Sequence, residues 1–184
     1  MELSDTLADI CDVLNSHNIP YMVIGGYAVS VHGYNRFTED IDITLGINVN
    51  EYEKVLNILP EINCKLLVSN PVDFINTTWV LPVLEEKSKT RIDFIFSFTD
   101  FESHAIKNSF VLDIKGKKIK FSSVNDLLVL KAFSGRTKDL EDIQVIYRRD
   151  KKVINLEYIY NWLEKFSADS DKDYVKLFNE TIKE

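Results

Sequence analysis

The segment DIDITL, residues 40–45, alternates polar and apolar side chains with a period of two, which predicts a strand with one buried face. Asp40, Asp42 and Thr44 would project from one face of this strand, and three aliphatic residues would project from the other. Two carboxylates so close together repel each other and are costly to bury unless a divalent cation neutralises them. Their oxygen atoms suit Mg²⁺ or Mn²⁺ better than zinc. The pattern therefore predicts a strand that carries metal ligands.

A second apolar segment, RIDFIFSF at residues 91–98, places another aspartate in the same kind of context. One face of the predicted strand is entirely apolar, and Asp93 lies on the other face. Burial and strand propensity both disfavour an aspartate at such a position. A third carboxylate that joins Asp40 and Asp42 would account for it.

Upstream of these aspartates, VIGGYAVS predicts a strand, a turn at Gly25 and Gly26, and the start of a short helix. Glycines let a ligand approach the backbone closely, and the N–H groups at a helix start favour phosphate oxygens. The segment matches neither the G-x-G-x-x-G pattern nor the P-loop pattern. A dinucleotide-binding fold and a Walker ATPase are therefore disfavoured.

Hydrophobic periodicity in the rest of the chain predicts an α/β (α+β) fold. A small mixed-sheet core over residues 1–121 is expected to be flanked by helices, and a helical C-terminal part over 122–184 is expected to pack on it as one compact unit. The other elements predicted for the core are helices over 3–16, 27–33 and 50–59, strands near 21–25, 64–68 and 77–84, and a hairpin over 110–121 around Gly116. Ser123 and Asp126 have the spacing of a capping box, which predicts that a helix begins there. Further helices are predicted over 137–149, 155–167 and 171–183.

Composition indicates where in the cell the protein is located and which partners it binds. No apolar run approaches the roughly 20 residues of a transmembrane span, and the N-terminus lacks a basic signal-peptide region, so we expect a cytoplasmic protein without a membrane partner. The net charge of −7 disfavours a protein that coats nucleic acid in general. Two basic clusters, KGKKIK (115–120) and RRDKK (148–152), are first interpreted as a solvated hairpin and a solvated helix end. Cys11 and Cys64 are predicted to be buried thiols.

The glycine pair and the three aspartates together resemble the motif of the DNA polymerase β-like nucleotidyltransferase superfamily. That motif is a Gly-Gly or Gly-Ser turn, a spacer, an Asp-h-Asp-h strand in which h is apolar, and a third Asp on a nearby strand. Here it corresponds to Gly25, Gly26, Asp40, Asp42 and Asp93, and the resemblance covers about residues 21–98. It implies that the aspartates hold two Mg²⁺ or Mn²⁺ ions, that Asp93 helps to deprotonate an acceptor, and that the glycines bind the phosphates of an NTP.

Two further segments are similar to motifs of nucleotidyltransferase toxins from abortive-infection toxin–antitoxin systems. RFTEDIDI is similar to their R-x-T-x-D-h-D, and LKAFSGRTKDLEDI is similar to their K-x(4)-R-x-K-D-x-x-D. At 184 residues, the chain is shorter than many such toxins. The resemblance implies an antitoxin protein as a partner and nucleotide-binding or supporting roles for a set of polar residues: Arg36, Thr38, Lys131, Arg136, Asp139 and Asp142.

The residues alone leave alternatives open for several of these positions. Lys131 lies on the packing stripe of its predicted helix, where its ammonium needs an anion from either a protein carboxylate or a ligand phosphate. Arg136 could meet a phosphate or lie at the surface, and the same holds for Arg36. Asp139 and Asp142 could complement the dipole of their helix, or Asp139 could pair with Lys131 or Arg136.

The expected activity is transfer of a nucleoside monophosphate from an NTP to a hydroxyl acceptor, with release of pyrophosphate. RNA, a protein hydroxyl and a small molecule such as an antibiotic are the three acceptor classes, because a fold does not choose among them. The alternative from a different functional class is a partner protein that has the same fold and binds a nucleotide but does not catalyse a reaction. The presence of all three carboxylates argues against that alternative.

Overall fold

The computed structural model describes residues 3–34 and 36–183. Within it the chain divides into two compact units. Each unit consists of two chain segments. The polypeptide passes from the first unit to the second within the helix Gly25–Val31, and it is in the first unit again from Arg36. The first unit includes the residues up to Ala28 and Arg36–Ser122, and the second includes residues 29–34 and the residues from Ser123 onward.

Seven strands, counted over the described residues, form one mixed sheet in the first unit. They are β1 (Tyr21–Val23), β2 (Asp40–Leu45), β3 (Cys64–Leu66), β4 (Val80–Glu85), β5 (Arg91–Phe96), β6 (Phe110–Ile114) and β7 (Lys117–Phe121). Their spatial order is β3, β4, β5, β2, β1, β7, β6, so β2 and β5 are neighbours. β2 runs parallel to β5 and antiparallel to β1. The predicted fold class, an α/β fold with a mixed sheet, is confirmed.

Helices lie between many of these strands along the chain. They are α1 (Leu3–Ser16), α2 (Gly25–Val31), a short 3-10 helix (Val49–Glu51), α3 (Tyr52–Ile58), α4 (Pro71–Thr78) and α5 (Asp100–Asn108). The predicted helix over residues 3–16 has the predicted bounds. Helix α5 was not predicted, although Thr99 and Glu102 form a capping box at its start.

The strand predicted near residues 77–84 is partly wrong. The sequence predicted a strand near 77–84, whereas the structure has helix α4 up to Thr78 and begins strand β4 at Val80. Asn70 accepts a hydrogen bond from the backbone N–H of Asp73, and Pro71 occupies the first turn, where its missing N–H costs nothing. Trp79 then ends the helix in the left-handed conformation.

The apolar face of the two central strands lies in the core of the first unit. Its side chains are fully buried: Ile41, Ile43, Leu45, Ile92, Phe94 and Phe96. Each such side chain contributes roughly 1.5–3 kcal/mol relative to an exposed one. A register slip by one residue would turn all of them away from the core. Burial of this face therefore determines where the polar side chains of β2 and β5 point.

The hairpin of β6 and β7 turns at residues 115 and 116, as predicted. Lys115 and Lys117 belong to KGKKIK, the basic cluster that the sequence predicts to be a solvated hairpin. In the structure Lys115 pairs with Asp5, and the Nζ atom of Lys117 lies 2.8 Å from Oδ1 of Asp9. Both aspartates are on α1, so part of this basic cluster is neutralised within the unit.

Both cysteines are free thiols, as predicted, and Cys11 is completely buried while Cys64 is half-buried. Burial raises the pKa of each thiol to about 12. Because the thiolate is the reactive form, these raised pKa values disfavour a nucleophilic role for either cysteine.

The second unit is helical, as the sequence predicted from Ser123 onward. Ser123 caps the first helix by accepting a hydrogen bond from the backbone N–H of Asp126. No helix within the described ranges is long and apolar enough to cross a bilayer. The helices are α6 (Val124–Ser134), α7 (Thr137–Asp150), α8 (Leu156–Ala168) and α9 (Tyr174–Lys183).

Residues 29–34 belong to this helical unit, although the sequence placed them in the core. The hydroxyl of Tyr34 donates a hydrogen bond to Asp150, and the guanidinium of Arg149 donates one to the carbonyl of Gly33. Arg149 also lies over the ring of Tyr34, 5.1 Å from its centroid. Residues of the RRDKK cluster thus hold the segment after α2. The packing of the helical part on the core stays a prediction.

Candidate active site

Strands β2 and β5 bring the three predicted catalytic aspartates to neighbouring positions on one face of the sheet. In their parallel register, Asp42 lies opposite Asp93, and Asp40 lies opposite Arg91. Residues opposite each other on adjacent strands share a face, and residues i and i+2 of one strand do so as well. Asp40 is exposed, and Asp42 and Asp93 are half-buried. The face opposite the core therefore carries all three carboxylates.

The predicted Gly-Gly turn lies directly against this cluster. Gly25 has a φ of +65°, and a Cβ atom at this position would lie 1.9 Å from Oδ2 of Asp42. A Cβ atom on Gly26 would lie 2.9 Å from the side chain of Thr38. The backbone N–H of Ile24 also donates a hydrogen bond to the carbonyl of Asp42, at 3.0 Å. The two glycines are thus required by contacts with the aspartate strand and the loop before it.

The loop before β2 carries Arg36 and Thr38. Thr38 donates a hydrogen bond from Oγ1 to the carbonyl of Asp40, at 3.1 Å, and so braces the start of the strand. Arg36 donates from Nη1 to the carbonyl of Phe37, at 3.0 Å. The structure brings Thr38 to the glycine turn, while the nucleotide-binding roles of Arg36 and Thr38 stay predictions.

Arg91 is a member of this site that the sequence did not single out. Its Nε atom donates a hydrogen bond to Oδ1 of Asp93, at 2.9 Å. That hydrogen bond raises the pKa of Arg91, as do the negative charges of Asp93, Asp40 and Asp42, while partial burial opposes them. The signal was present in the sequence, because Arg91 and Asp93 are two residues apart on a predicted strand and must share its polar face.

The donor set fits a hard divalent cation, although its present arrangement does not form a complete metal site. Three aspartates supply only oxygen atoms, which are the ligands that Mg²⁺ and Mn²⁺ prefer. As the described side chains lie, no group of three or more His, Cys, Asp or Glu residues is arranged to hold a metal ion. Asp93 directs Oδ1 to Arg91 instead. A cation that uses Asp93 as a ligand would therefore compete with Arg91 for Oδ1 or bind beside the guanidinium.

The second unit contains the remaining predicted site residues, which form a cluster within it. The Nζ atom of Lys131 lies 2.9 Å from Oδ1 of Asp139 and 2.6 Å from Oδ2 of Asp142, and all three residues are buried. Ser134 and Arg136 donate hydrogen bonds to Oδ2 of Asp139. The sequence allowed either a protein carboxylate or a ligand phosphate as the partner of Lys131. In the structure its partners are the two protein carboxylates.

The electrostatics of this cluster favour the ionised form of Asp139. Burial alone would raise the pKa of Asp139, but hydrogen bonds from Arg136 and Ser134 and the charge of Lys131 outweigh burial and lower it. Arg136 makes its contact from the surface, since 76% of its side chain is exposed. The nucleotide-binding roles of Lys131 and Arg136 and the supporting roles of Asp139 and Asp142 stay predictions.

A protein-family model described as "Nucleotidyl transferase of unknown function (DUF2204)" matches residues 3–184 of the chain. The chain belongs to this nucleotidyl transferase family. The match confirms the expected enzyme class and the superfamily inferred from the glycine turn and the three aspartates. The narrower resemblance to abortive-infection toxins stays a prediction. No curated protein sequence gives a significant match to this nucleotidyl transferase.

Solved structures of other nucleotidyltransferases share the fold of this nucleotidyl transferase. An antigenic nucleotidyltransferase-like protein from Paracoccidioides brasiliensis is 18% identical with a TM-score of 0.56, and the alignment covers 97% of this chain and 92% of that one. The antibiotic-resistance factor ANT(2'')-Ia is 14% identical with a TM-score of 0.60, covering 90% and 91%. The lincosamide antibiotic adenylyltransferase LnuA, bound to lincomycin, is 18% identical with a TM-score of 0.52, covering 75% and 92%.

Proposed function

We propose that this nucleotidyl transferase moves a nucleoside monophosphate from an NTP to a hydroxyl acceptor, with release of pyrophosphate, and that the reaction requires a divalent cation. One observation carries this proposal. Asp42 and Asp93 face each other in register on neighbouring strands, with Asp40 on the same face and the Gly25 turn against Asp42. The arrangement joins oxygen ligands for a cation to a turn that a phosphate chain can approach closely.

Asp40 and Asp42 are the proposed ligands of two Mg²⁺ or Mn²⁺ ions, and Asp93 is the proposed additional ligand of one of them. When bound, such ions neutralise phosphate charge and lower the pKa of a coordinated hydroxyl. Without a cation, the negative charges of the three carboxylates would repel a triphosphate. NTP binding is therefore expected to depend on the metal.

In the proposed reaction, the acceptor oxygen forms a bond to the α-phosphorus of the NTP while the bond from that phosphorus to the pyrophosphate oxygen breaks. The hydroxyl proton passes to the carboxylate of Asp93, which reaches the polar face from a different strand than the D-x-D pair. Gly25 and Gly26 carry no side chain, so the phosphates can approach the backbone of the turn. Pyrophosphate then leaves with the negative charge of the broken bond.

The other proposed nucleotide ligands are Arg36, Thr38, Lys131 and Arg136. For Lys131 this role would require a phosphate to compete with two buried carboxylates. Arg136 is better placed to meet a ligand, because most of its side chain is exposed. Its guanidinium presents a fork of donors that suits phosphate oxygens.

RNA, a protein hydroxyl and a small molecule are the proposed acceptor classes. The similarity of two motifs to abortive-infection toxins supports an antitoxin protein as a further proposed partner, and the cytoplasm is the proposed location. The solved structures include proteins named for antibiotic resistance and for lincosamide adenylylation, but at such low identity they share the fold alone. A shared fold does not select the acceptor, so the experiment includes all three classes.

Incubation with each α-labelled NTP tests the proposal directly. The reactions should contain Mg²⁺ and, in separate tubes, total RNA, a protein extract, or a panel of aminoglycosides and lincosamides. We expect label in one acceptor fraction, and loss of that label with EDTA or with the Asp42→Asn variant. NTP binding of equal affinity in Mg²⁺ and in EDTA, measured by titration calorimetry with a non-hydrolysable NTP, would contradict the metal-dependent mechanism.

A further inference from the structure

We propose that Arg91 is a built-in counter-ion of the three carboxylates, which weakens binding of a divalent cation alone and so couples uptake of the metal to uptake of the nucleotide. This inference rests on the proposed function, because it requires Asp40, Asp42 and Asp93 to be the metal ligands. It adds a positioning residue that neither the motif nor the family match identifies.

The position of Arg91 in the sheet is the first observation behind this proposal. Arg91 lies opposite Asp40 in the register of β2 and β5 and is two residues before Asp93 on β5. It is also diagonal to Asp42, within the distance that a long side chain spans across neighbouring strands. The guanidinium therefore shares a sheet face with all three acids.

The contact of Arg91 is the second observation. Its Nε atom is 2.9 Å from Oδ1 of Asp93, so this oxygen already accepts a charge-assisted hydrogen bond. A cation that uses Asp93 as a ligand must displace the guanidinium from this oxygen or bind beside it. The first requires loss of an ion pair, and the second places two positive charges next to each other. Either route weakens binding of the metal alone.

A bound triphosphate removes this conflict. Its oxygens are ligands for a divalent cation and acceptors for a guanidinium, so both positive groups can be satisfied at once. Half of the Arg91 side chain is exposed, which leaves it room to move away from Asp93. Metal and nucleotide should then bind with positive coupling, and by linkage the coupling has the same magnitude in either order of addition.

Titration of Mn²⁺ into the full-length protein, without and with a non-hydrolysable NTP, tests the inference by calorimetry rather than by turnover. Arg91→Met removes the charge but keeps an unbranched side chain, Arg91→Lys keeps the charge, and Lys89→Met removes an exposed cation from the preceding turn as a matched control. Without nucleotide, Arg91→Met should bind Mn²⁺ about five- to tenfold more tightly than wild type, because the metal no longer competes with a partly exposed ion pair or meets a neighbouring positive charge. Lys89→Met should bind as wild type does, and Arg91→Lys should remain within about twofold.

The enhancement of Mn²⁺ affinity by NTP should shrink in Arg91→Met by the same factor. Circular dichroism would confirm that each variant is folded, which the exposure of Arg91 leads us to expect. Equal Mn²⁺ affinity in wild type and folded Arg91→Met would overturn the role of Arg91, while metal-dependent NTP binding by the wild type would still support the proposed function. Metal-independent NTP binding by the wild type would overturn both.

Discussion

Gly25 and Asp42 are so close that a Cβ atom on Gly25 would lie 1.9 Å from Oδ2 of Asp42. The glycine also has a φ of +65°, a conformation that costs other residues energy. The turn and the aspartate strand are thus fitted to each other, and the carboxylate can occupy its position only because the turn has no side chain there.

Gly25→Ala should lower the free energy of unfolding and displace the Asp42 carboxylate. We expect a loss of about 2–3 kcal/mol from backbone strain and overpacking together. Gly116→Ala is the matched control, because Gly116 also has a positive φ but a Cβ atom added to it would meet nothing within 4 Å. The control should lose only about 1 kcal/mol. Urea unfolding measures both losses, and Mn²⁺-dependent NTP binding should weaken only in Gly25→Ala.

Asp93→Asn should act on the chemical step more than on nucleotide binding. The variant keeps the shape of the side chain but removes the base, so transfer should fall by roughly 10²–10⁴-fold, with a larger loss if a metal ligand is lost too. NTP affinity should change little, whereas Asp42→Asn should lose metal-dependent NTP binding itself. Single-turnover transfer and calorimetry separate the two effects. Near-normal turnover by Asp93→Asn would show that another carboxylate is the base.

Lys131→Met should be strongly destabilising, because it leaves the buried carboxylates of Asp139 and Asp142 without their shared cation. Breaking a buried ion pair by removing one partner costs about 3–5 kcal/mol. Lys138→Met removes an exposed cation from the same motif and should change stability by less than about 0.5 kcal/mol. Chemical denaturation compares the variants. A fully stable Lys131→Met protein with weakened NTP binding would instead support the phosphate-binding role.

Glu85 should give the first unit a pH-dependent stability. It is 3% exposed and accepts hydrogen bonds from Asn63, Ser88 and the backbone N–H of Lys87. Burial opposes its ionisation, but these hydrogen bonds outweigh burial and lower the pKa to about 2. A glutamate in the unfolded chain titrates near 4.3, so the ionised form contributes roughly 3 kcal/mol of stability above that pH. This contribution is lost as the pH falls from about 4.3 toward 2.

Glu85→Gln isolates this contribution. The difference in unfolding free energy between wild type and variant should be largest near pH 7 and should shrink as the pH is lowered from about 4.3 toward 2, the window between the unfolded and the folded pKa. Glu86→Gln, which removes an exposed partner of Lys65, is the control and should show little change with pH. A difference that does not depend on pH would mean that Glu85 stabilises the turn by shape alone.

Local patterns predicted those elements whose signals lie within a few residues. The period of two in β2 and β5 assigned each side chain to a face, and burial of Ile43 and Phe94 agrees with that assignment. The same patterns misassigned residues 77 and 78, because an apolar, β-branched stretch suggested a strand where a capped helix forms. The helix cap at Asn70 and Pro71 was a readable signal that competed with strand propensity.

By itself, the sequence determined which side chains share a face, where the glycine turn lies and which acids could bind a cation, because these follow from short-range backbone geometry. Only the tertiary structure decided that β2 lies beside β5, which places Asp42 opposite Asp93 and Asp40 opposite Arg91. It also decided that Lys131 is held by Asp139 and Asp142. Strand pairing and the partner of a buried charge depend on which distant surfaces pack together to bury the core, and no local pattern encodes that choice.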